Sequence, residues 1–265
     1  MIHEMTGAAA KRPKKRKGKR AARREATMAR IVDAALVILT EEGFDALTMK
    51  RLADELGYAI GAFYRYFPSK DALFLAVQRR VLELLAADLR RTDEAVRAQV
   101  DDDEGRSART AALTRILAAA RVYETLATRR PVHFRLLGRW LGDTSPLVSM
   151  EAAAPLLPAL LEMFGLVPRL FEAAVEAGAL TPGPADRRAY VLWSSLQGVS
   201  QLRKLSRFGV AALEPRGMAE ELVRTLLSGW GAAEPSLSEA LTLARALVAE
   251  ELEGSDGSEG RERPC

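Results

Sequence analysis

Apolar residues recur along most of the chain at intervals of three and four positions, the spacing of one face of an α-helix. In the first clear run, the residues on that face are Ile31, Ala35, Ile38 and Leu39. Thr27 is the expected N-cap of this helix, and Gly43 is the expected residue just past its end. Sustained strand-like alternation is absent from the sequence, so the pattern predicts an all-α protein.

Two short helical segments follow the first helix. The earlier one starts behind Thr48, spans about two turns and stops at Gly57, whereas the later one covers residues 59–67. Ser69 then caps a longer helix predicted over 70–96. Two short helices joined by a tight turn that contains glycine are typical of a helix-turn-helix.

Further helices are predicted over most of the remaining chain, separated by clusters of Pro and Gly. Their expected ranges are 108–128, 131–141, 150–163, 168–178, 185–208, 216–230 and 236–252. We therefore expect four regions: a disordered basic arm over 1–26, a helix-turn-helix domain over 27–80, a second helical domain over 81–253 and a disordered tail over 254–265.

Charge is distributed unevenly along the 265 residues. Residues 1–80 hold 17 Lys and Arg against 9 Asp and Glu, whereas the rest of the chain holds 22 against 26. Residues 11–24 alone contain ten basic residues and no acidic ones. A basic front on a mildly acidic body favours an anionic polymer as its partner, although a basic run is equally consistent with a solubilising tail or a localisation signal.

The sequence holds few residues for catalysis or metal binding. Its one cysteine is Cys265, its two histidines are His3 and His133, and it has neither a P-loop nor a dinucleotide-binding fingerprint. The acidic run over 101–104 is interpreted as solvated charge. Because no stretch of 18 apolar residues and no signal-peptide core is present, we expect a cytoplasmic protein without a membrane span. We expect no enzyme activity, metal or cofactor.

The segment over 59–67 has a distribution of side chains suited to a DNA groove. At 100° per residue, Phe63 and Phe67 fall on the face directed at the preceding helix. The opposite face is formed by Gly61, Ala62 and Arg65. Tyr64 and Tyr66 flank this face, where their hydroxyls suit the phosphate walls of a major groove. The alternative is that both tyrosines only pack between helices.

At this point the chain resembles a known family. Residues 31–77, "IVDAALVILTEEGFDALTMKRLADELGYAIGAFYRYFPSKDALFLAV", are similar to the N-terminal DNA-binding domain of the tetracycline-repressor (TetR) family. The resemblance implies phosphate contacts with double-stranded DNA by Thr48, Tyr64, Tyr66 and Lys70. It implies base-reading or groove-facing positions for Lys50, Ile60, Gly61, Ala62 and Arg65. Ala59 departs from the Ser or Thr that usually caps this helix in the family.

The resemblance is looser beyond this domain. Two segments, "DRRAYVLWSSLQGVSQLRKLSRFG" and "RGMAEELVRTLLSGWG", look like the helices that form the family's four-helix dimer interface. The expected interface residues are Leu192, Leu196, Val199, Leu222 and Leu226. Candidate residues of an effector pocket are His133, Phe134, Trp140, Met163, Phe164 and Phe171, although each is also consistent with ordinary helix packing.

The resemblance implies a homodimeric repressor that leaves a palindromic operator when a small apolar effector binds the region 81–253. The helix over 236–252 is an addition to the usual family pattern. Two alternatives remain open from the residues alone. One is a ligand-independent DNA-binding or architectural factor whose second domain only dimerises or binds a protein. The other is a helical enzyme that carries an accessory DNA-binding module.

Overall fold

The computed structural model describes residues 14–101, 107–141, 154–210 and 214–259. The regular elements in these ranges are all helical. The α-helices are α1 (Lys14–Glu41), α2 (Met49–Glu55), α3 (Ile60–Phe63), α4 (Lys70–Asp101), α5 (Ala108–Arg129), α6 (Pro131–Leu141), α7 (Leu157–Glu176), α8 (Ala185–Leu202), α9 (Pro215–Gly229) and α10 (Glu234–Glu259). Short 3-10 turns precede α7 over Ala154–Leu156 and follow α8 over Arg203–Phe208. The all-α fold class is confirmed.

The chain divides into two compact units, Met1–Val77 and Gln78–Cys265, and α4 runs through the boundary. In the first unit, the apolar face of α1 is buried together with Leu47, Leu52 and Phe63. The turns between its helices depend on two glycines in the left-handed conformation, Gly43 at φ 89° and Gly57 at φ 69°. Both turns were predicted, because this conformation is strained for other residues.

The first helix begins earlier than predicted. We expected disorder through residue 26 and a cap at Thr27, but α1 is continuous from Lys14 and the Thr27 hydroxyl donates to the Arg23 carbonyl inside the helix. Lys, Arg and Ala are strong helix formers, and extending a helix that tertiary packing has already nucleated costs little. The remainder of the arm, residues 1–13, lies outside the described residues.

The second unit is a helical bundle in which α5 is a central element. Helices α6, α7, α8 and α10 all pack against α5. The helix α10, predicted as an addition, buries one face along α5 through Leu237, Ala240, Ala244 and Val248. The Thr110 hydroxyl of α5 also donates to Glu239 of α10 at 3.0 Å. The added helix is therefore part of the bundle core rather than an appendage.

Two boundaries in this unit differ from the prediction. The separate helices expected over 150–163 and 168–178 form one helix, α7, with Pro168 buried inside it. Proline removes one backbone hydrogen bond from a helix, so the sequence suggested a break, but apolar packing on both sides of Pro168 keeps the helix continuous. The helix α10 extends to Glu259, six residues into the tail predicted as disordered, and residues 260–265 lie outside the described ranges.

One described segment, Ala154–Glu176, is long and apolar enough to cross a membrane by length and composition alone. A core helix of a soluble protein passes the same test. In this segment the side chains of Met163, Phe171 and Ala174 are buried in the helical bundle. Its apolar character is thus explained in part by packing within the second unit.

Candidate nucleic-acid interface and ligand cavity

Helix α3 is held to its unit by two aromatic side chains. Phe63 is completely buried and Phe67 is 2% exposed, as the spacing predicted. The helix begins at Ala59, whose backbone carbonyl accepts from the Ala62 and Phe63 amides, but no side chain caps it. The missing cap predicted from Ala59 is thus confirmed, and packing rather than capping fixes this short helix.

The opposite side of α3 faces solvent. Gly61 and Arg65 are exposed, Ala62 is half-buried, and the side chains of Ile60 and Tyr64 are 44% and 46% exposed. Ile60 is the first residue of α3 and Tyr64 is the first residue of the turn after it, so α3 is shorter than the helix predicted over 59–67 and the two exposed side chains lie close together in the chain. A Cβ added at Gly61 would meet no atom within 4 Å, so the backbone here is open to a close approach.

The two flanking tyrosines differ in their surroundings. Tyr66 is half-buried, and its ring lies 6.1 Å from the ring of Tyr58 at an angle of 59°. Packing against Tyr58 therefore accounts for part of the Tyr66 side chain, as the alternative interpretation held. Tyr64 is more exposed, and helix packing does not account for its position.

The other candidate DNA-contacting residues lie at the starts of helices α2 and α4. The Thr48 Oγ accepts from the Arg51 amide at 3.0 Å and the Ser69 Oγ accepts from the Ala72 amide at 3.1 Å, so both predicted caps are confirmed. A hydroxyl that caps by accepting still carries a proton that it can donate to a phosphate. Lys50 is exposed on α2, and Lys70 is exposed with its ammonium 5.5 Å from the centre of the Phe74 ring.

One contact near α3 was missed from the sequence. The Arg24 guanidinium donates to the backbone carbonyl of Arg65 at 3.1 Å, joining α1 to the turn that follows α3 across 41 positions of sequence. A cation suits the carbonyl end of a helix. The sequence shows that residues 11–24 are basic, but the spacing of these basic residues does not indicate that Arg24 contacts the Arg65 carbonyl.

The second unit contains a largely apolar cavity of about 50 Å³, which is partly open to solvent. Its wall is formed by α4, α5, α7 and α8, through Leu85, Leu89, Ala119, Ala120, Tyr123, Met163, Phe164, Val167, Ala189, Leu192, Trp193 and Leu196. These lining residues include no charged side chain. Such a wall suits a neutral, mostly apolar molecule, because a charged one would lose its hydration without a counter-charge.

The predicted pocket residues have different positions. Met163 and Phe164 line the cavity, and the Phe134 ring packs edge-on against the ring of Tyr123 at 6.3 Å. Phe171 is fully buried and packs edge-on against Trp230 at 5.4 Å, so it lies outside the wall of this cavity. His133 lies on α6 and is likewise not part of the wall. Trp140 belongs to α6, but its side chain is outside the described part of the structure.

Two polar side chains are hydrogen-bonded beside the cavity. The Tyr123 hydroxyl donates to Oε1 of Gln197, and the Tyr123 ring packs edge-on against the ring of Trp193 at 6.4 Å. Burial raises the pKa of the Tyr123 phenol, so it stays protonated at neutral pH. The sequence analysis did not identify Tyr123 or Trp193 as pocket residues. One signal was available, because Tyr123 follows the small residues Ala119 and Ala120 by one helical turn and small side chains leave space beside an aromatic ring.

The predicted dimer residues differ in their exposure. Leu192 and Leu196 are each 3% exposed and line the cavity of their own chain, so little of either side chain is open to a second copy. Val199, Leu222 and Leu226 are half-buried. The solvent-facing stripe of α8 consists instead of Val191, Ser194, Gly198 and Leu202. The sequence did not distinguish these two sides, because α8 carries apolar residues on both and periodicity does not show which side packs within its own chain.

A short exposed helix, anchored by buried aromatics behind a tight glycine turn, defines a helix-turn-helix protein. The sequence model of the family described as "Bacterial regulatory proteins, tetR family" matches residues 31–77. The chain is also 31% identical over 161 residues to the HTH-type transcriptional regulator Rv0681 of Mycobacterium tuberculosis, covering 58% of this chain and 67% of the relative. The chain therefore belongs to the TetR family of bacterial regulatory proteins.

Two further comparisons bear on this assignment. The HTH-type transcriptional repressor KstR of Mycolicibacterium smegmatis is 39% identical over 69 residues, which are 26% of this chain and 32% of KstR. The chain thus spans about a third of the length of this relative. The crystal structure of RolR in complex with resorcinol superposes with a TM-score of 0.55 at 21% identity, covering 84% of this chain and 95% of RolR. That similarity supports the two-part helical fold.

Proposed function

We propose that this protein is a cytoplasmic transcriptional repressor that binds double-stranded DNA through α3 and is released by a small, mostly apolar effector. The observation that carries the proposal is the exposed surface of Ile60, Gly61, Tyr64 and Arg65, on α3 and the turn after it, whose other side is fixed by buried Phe63. This arrangement supports a groove-binding role, because it presents exposed side chains on a rigid support.

The contacts are assigned by the reach and chemistry of each side chain. Thr48, Tyr64, Tyr66 and Lys70 bind phosphate oxygens and set the position of α3, which makes this part of the affinity dependent on salt but not on sequence. Lys50 and Arg65 reach base edges, while Ile60 and Ala62 touch thymine methyl groups and Gly61 allows the backbone to come close. Because few of these groups hydrogen-bond to bases, DNA shape contributes to the choice of operator.

A second copy of the chain is required for specificity. One α3 covers only a few base pairs, so two copies reading half-sites about 34 Å apart are needed for a selective operator. The α8 stripe of Val191, Ser194, Gly198 and Leu202 supports dimerisation, since its small residues let a partner helix approach closely and its apolar residues gain from burial. Leu222 and Leu226 of α9 extend this surface. A two-fold dimer reads a palindromic operator.

Release follows from differential binding of the effector. Leu85 and Leu89 of α4 form part of the cavity wall, and the same helix begins at Lys70, one of the proposed phosphate contacts. An effector that binds better when the two α3 helices are out of register with successive grooves shifts the dimer to that state by its difference in affinity. The cavity supports this reading over a ligand-independent factor, which has no need of an apolar cavity.

The experiment is a selection of genomic fragments with the purified protein, followed by footprinting and titration of variants on the selected operator. We expect two protected half-sites about one helical turn apart. Tyr64→Phe and Lys70→Ala should weaken binding to all sequences and lower the salt slope, because each removes a phosphate contact. Lys50→Ala and Arg65→Ala should also relax the sequence preference.

Glu94→Ala on α4 of the second unit is a suitable control, because its carboxylate has no assigned role at the DNA and its loss changes only the charge. This variant should keep the operator affinity within about twofold. If the four DNA-side variants bind like the control at low and moderate salt, the assignment of α3 as the DNA-reading element is wrong.

A further inference from the structure

A second cavity of the second unit has a polar wall. This polar cavity measures about 260 Å³ and is partly open to solvent, whereas the apolar cavity measures about 50 Å³. The two have no lining residue in common among those that the structure describes. The polar cavity lies between α5, the end of α8 with the 3-10 turn that follows it, and the start of α9. It is therefore a separate candidate site.

The charged side chains in the described part of this wall are three arginines and two glutamates, which leave one positive charge. They are Arg121, Glu124, Arg203, Glu214 and Arg216. Glu124 is paired with Arg121, whose Nη1 donates to its carboxylate at 2.9 Å. Burial raises the pKa of the Glu124 carboxyl, and the charges of Arg121 and Arg216 oppose this rise. The remaining positive charge favours a ligand with a single negative charge, because a second one would be repelled by the glutamates.

Two polar groups of the wall are available to a ligand. The Ser200 side chain belongs to a residue that is only 8% exposed, and its hydroxyl has no hydrogen-bond partner among the described residues. The Arg216 guanidinium likewise has no hydrogen-bond partner in the described ranges. The other hydroxyls of this wall, on Thr125, Thr128 and Ser206, each donate to a nearby backbone carbonyl. A buried hydroxyl without a partner is uncommon in a native structure, so Ser200 indicates that the cavity holds a ligand or water.

The third arginine is fixed at the side of the polar cavity. Nη1 of Arg203 donates to the backbone carbonyl of Ala127 near the end of α5. A guanidinium carries five N–H donors in a planar fork, so this bond leaves others for a ligand. The fork matches the two oxygens of a carboxylate. Val199 and Pro215 add apolar surface to the same wall, which suits a ligand that carries an apolar part beside its charge.

We infer that the polar cavity binds a small organic carboxylate with a single negative charge. Its carboxylate accepts from Arg203, Arg216 and the Ser200 hydroxyl, and its apolar part lies against Val199 and Pro215. The site goes beyond the proposed function, because the carboxylate is a second ligand that binds apart from the apolar effector. It does not depend on whether α3 binds DNA.

The test compares benzoate with benzamide, which have nearly the same shape and differ in charge. Binding to the full chain is measured by calorimetry at neutral pH. We expect benzoate to bind about tenfold more tightly, since a hydrogen bond between charged groups contributes more than one to a neutral oxygen. Ala119→Leu, which narrows the apolar cavity, should keep the benzoate affinity within about twofold, because Ala119 is not part of the polar wall.

Two variants and one control locate the bound benzoate. Arg216→Gln removes the charge, so it should lower the affinity for benzoate about tenfold and leave that for benzamide within about twofold. Ser200→Ala removes the hydroxyl and should lower the benzoate affinity about threefold. Arg169→Gln, at an exposed arginine of α7 outside the wall, should keep it within about twofold. A melting curve of each variant distinguishes loss of the fold from loss of a contact.

Four results would overturn the inference. The first is equal binding of benzoate and benzamide by the unaltered chain. The second is that benzoate does not bind at millimolar concentration, which would mean that only water or inorganic ions occupy the cavity. The third is equal loss in Arg216→Gln and Arg169→Gln, which would reduce the effect to overall charge. The fourth is loss of benzoate binding in Ala119→Leu, which would assign the benzoate to the apolar cavity. Operator binding tests the proposed function separately.

Discussion

The two units of this protein use aromatic residues in opposite ways. In the first unit, Phe63 and Phe67 are buried and fix α3 in place, and Tyr64, directly after this helix, is exposed to solvent. In the second unit, Tyr123, Phe164 and Trp193 form part of the wall of a cavity. A projecting surface suits a polymer with a wide groove, whereas a concave one suits a small molecule. The position of each ring relative to its core thus distinguishes the two kinds of site.

The largest expected effect comes from removing the support of the projecting surface. Phe63→Ala should destabilise the first unit by about 3 to 5 kcal/mol, because it leaves a cavity under α3, and operator binding should be lost. Binding of a small neutral aromatic probe, acetophenone, to the apolar cavity of the second unit should persist. Thermal unfolding and calorimetry with this probe measure the two effects separately. Val37→Ala is the matched control, since Val37 is an apolar residue of the same unit that is 52% exposed.

If Phe63→Ala also abolished probe binding, the cavity of the second unit would depend on the folding of the first unit, and the two sites would not be independent. An unchanged melting curve would show instead that α3 is not held by Phe63.

A smaller effect is expected from filling the enclosed space. Ala119→Leu places three more carbon atoms against the cavity, so probe affinity should fall at least tenfold while operator affinity without probe stays within about twofold. Competition between probe and operator on the same sample measures both. Ala108→Leu, at an exposed site on the same helix, should alter neither. Loss of operator binding in Ala119→Leu alone would indicate that the cavity wall determines DNA affinity even when empty.

The smallest effect concerns the contact between α1 and the turn after α3. Arg24→Ala removes the donor to the Arg65 carbonyl and should weaken operator binding about threefold more than Arg23→Ala, since one hydrogen bond contributes about 0.5 to 1.5 kcal/mol. Both variants lose one positive charge from the same helix. Fluorescence anisotropy at two salt concentrations measures the difference. Equal losses would show that Arg24 contributes only its charge.

The sequence predicted the first unit well because its signals are local. Gly43 and Gly57 mark turns, and Thr48 caps a helix. The rotation of 100° per helical residue places Phe63 on the buried face. Each of these inferences depends on residues within one or two turns of each other. The contact from Arg24 to Arg65 spans 41 positions and leaves no local trace.

The second unit was harder to predict because its helices are apolar on more than one side. Leu192 and Leu196 have the spacing of an interface, and only the packed bundle assigns them to the cavity of their own chain. Phe171 and Phe164 are both aromatic residues of α7, yet one lies in the core and the other in the wall. Hydrophobic periodicity reports that a face is covered, but not which helix, ligand or partner covers it.

The added helix α10 has a consequence for how this regulator can change over generations. It covers α5 along one side through Leu237, Ala240 and Ala244, while the residues on another side of α5 form the cavity wall. Most substitutions destabilise a protein, and an extra packed helix supplies a margin against that loss. Under the proposed function, we therefore expect substitutions at Ala119 or Ala120 to change which effector binds without unfolding the second unit.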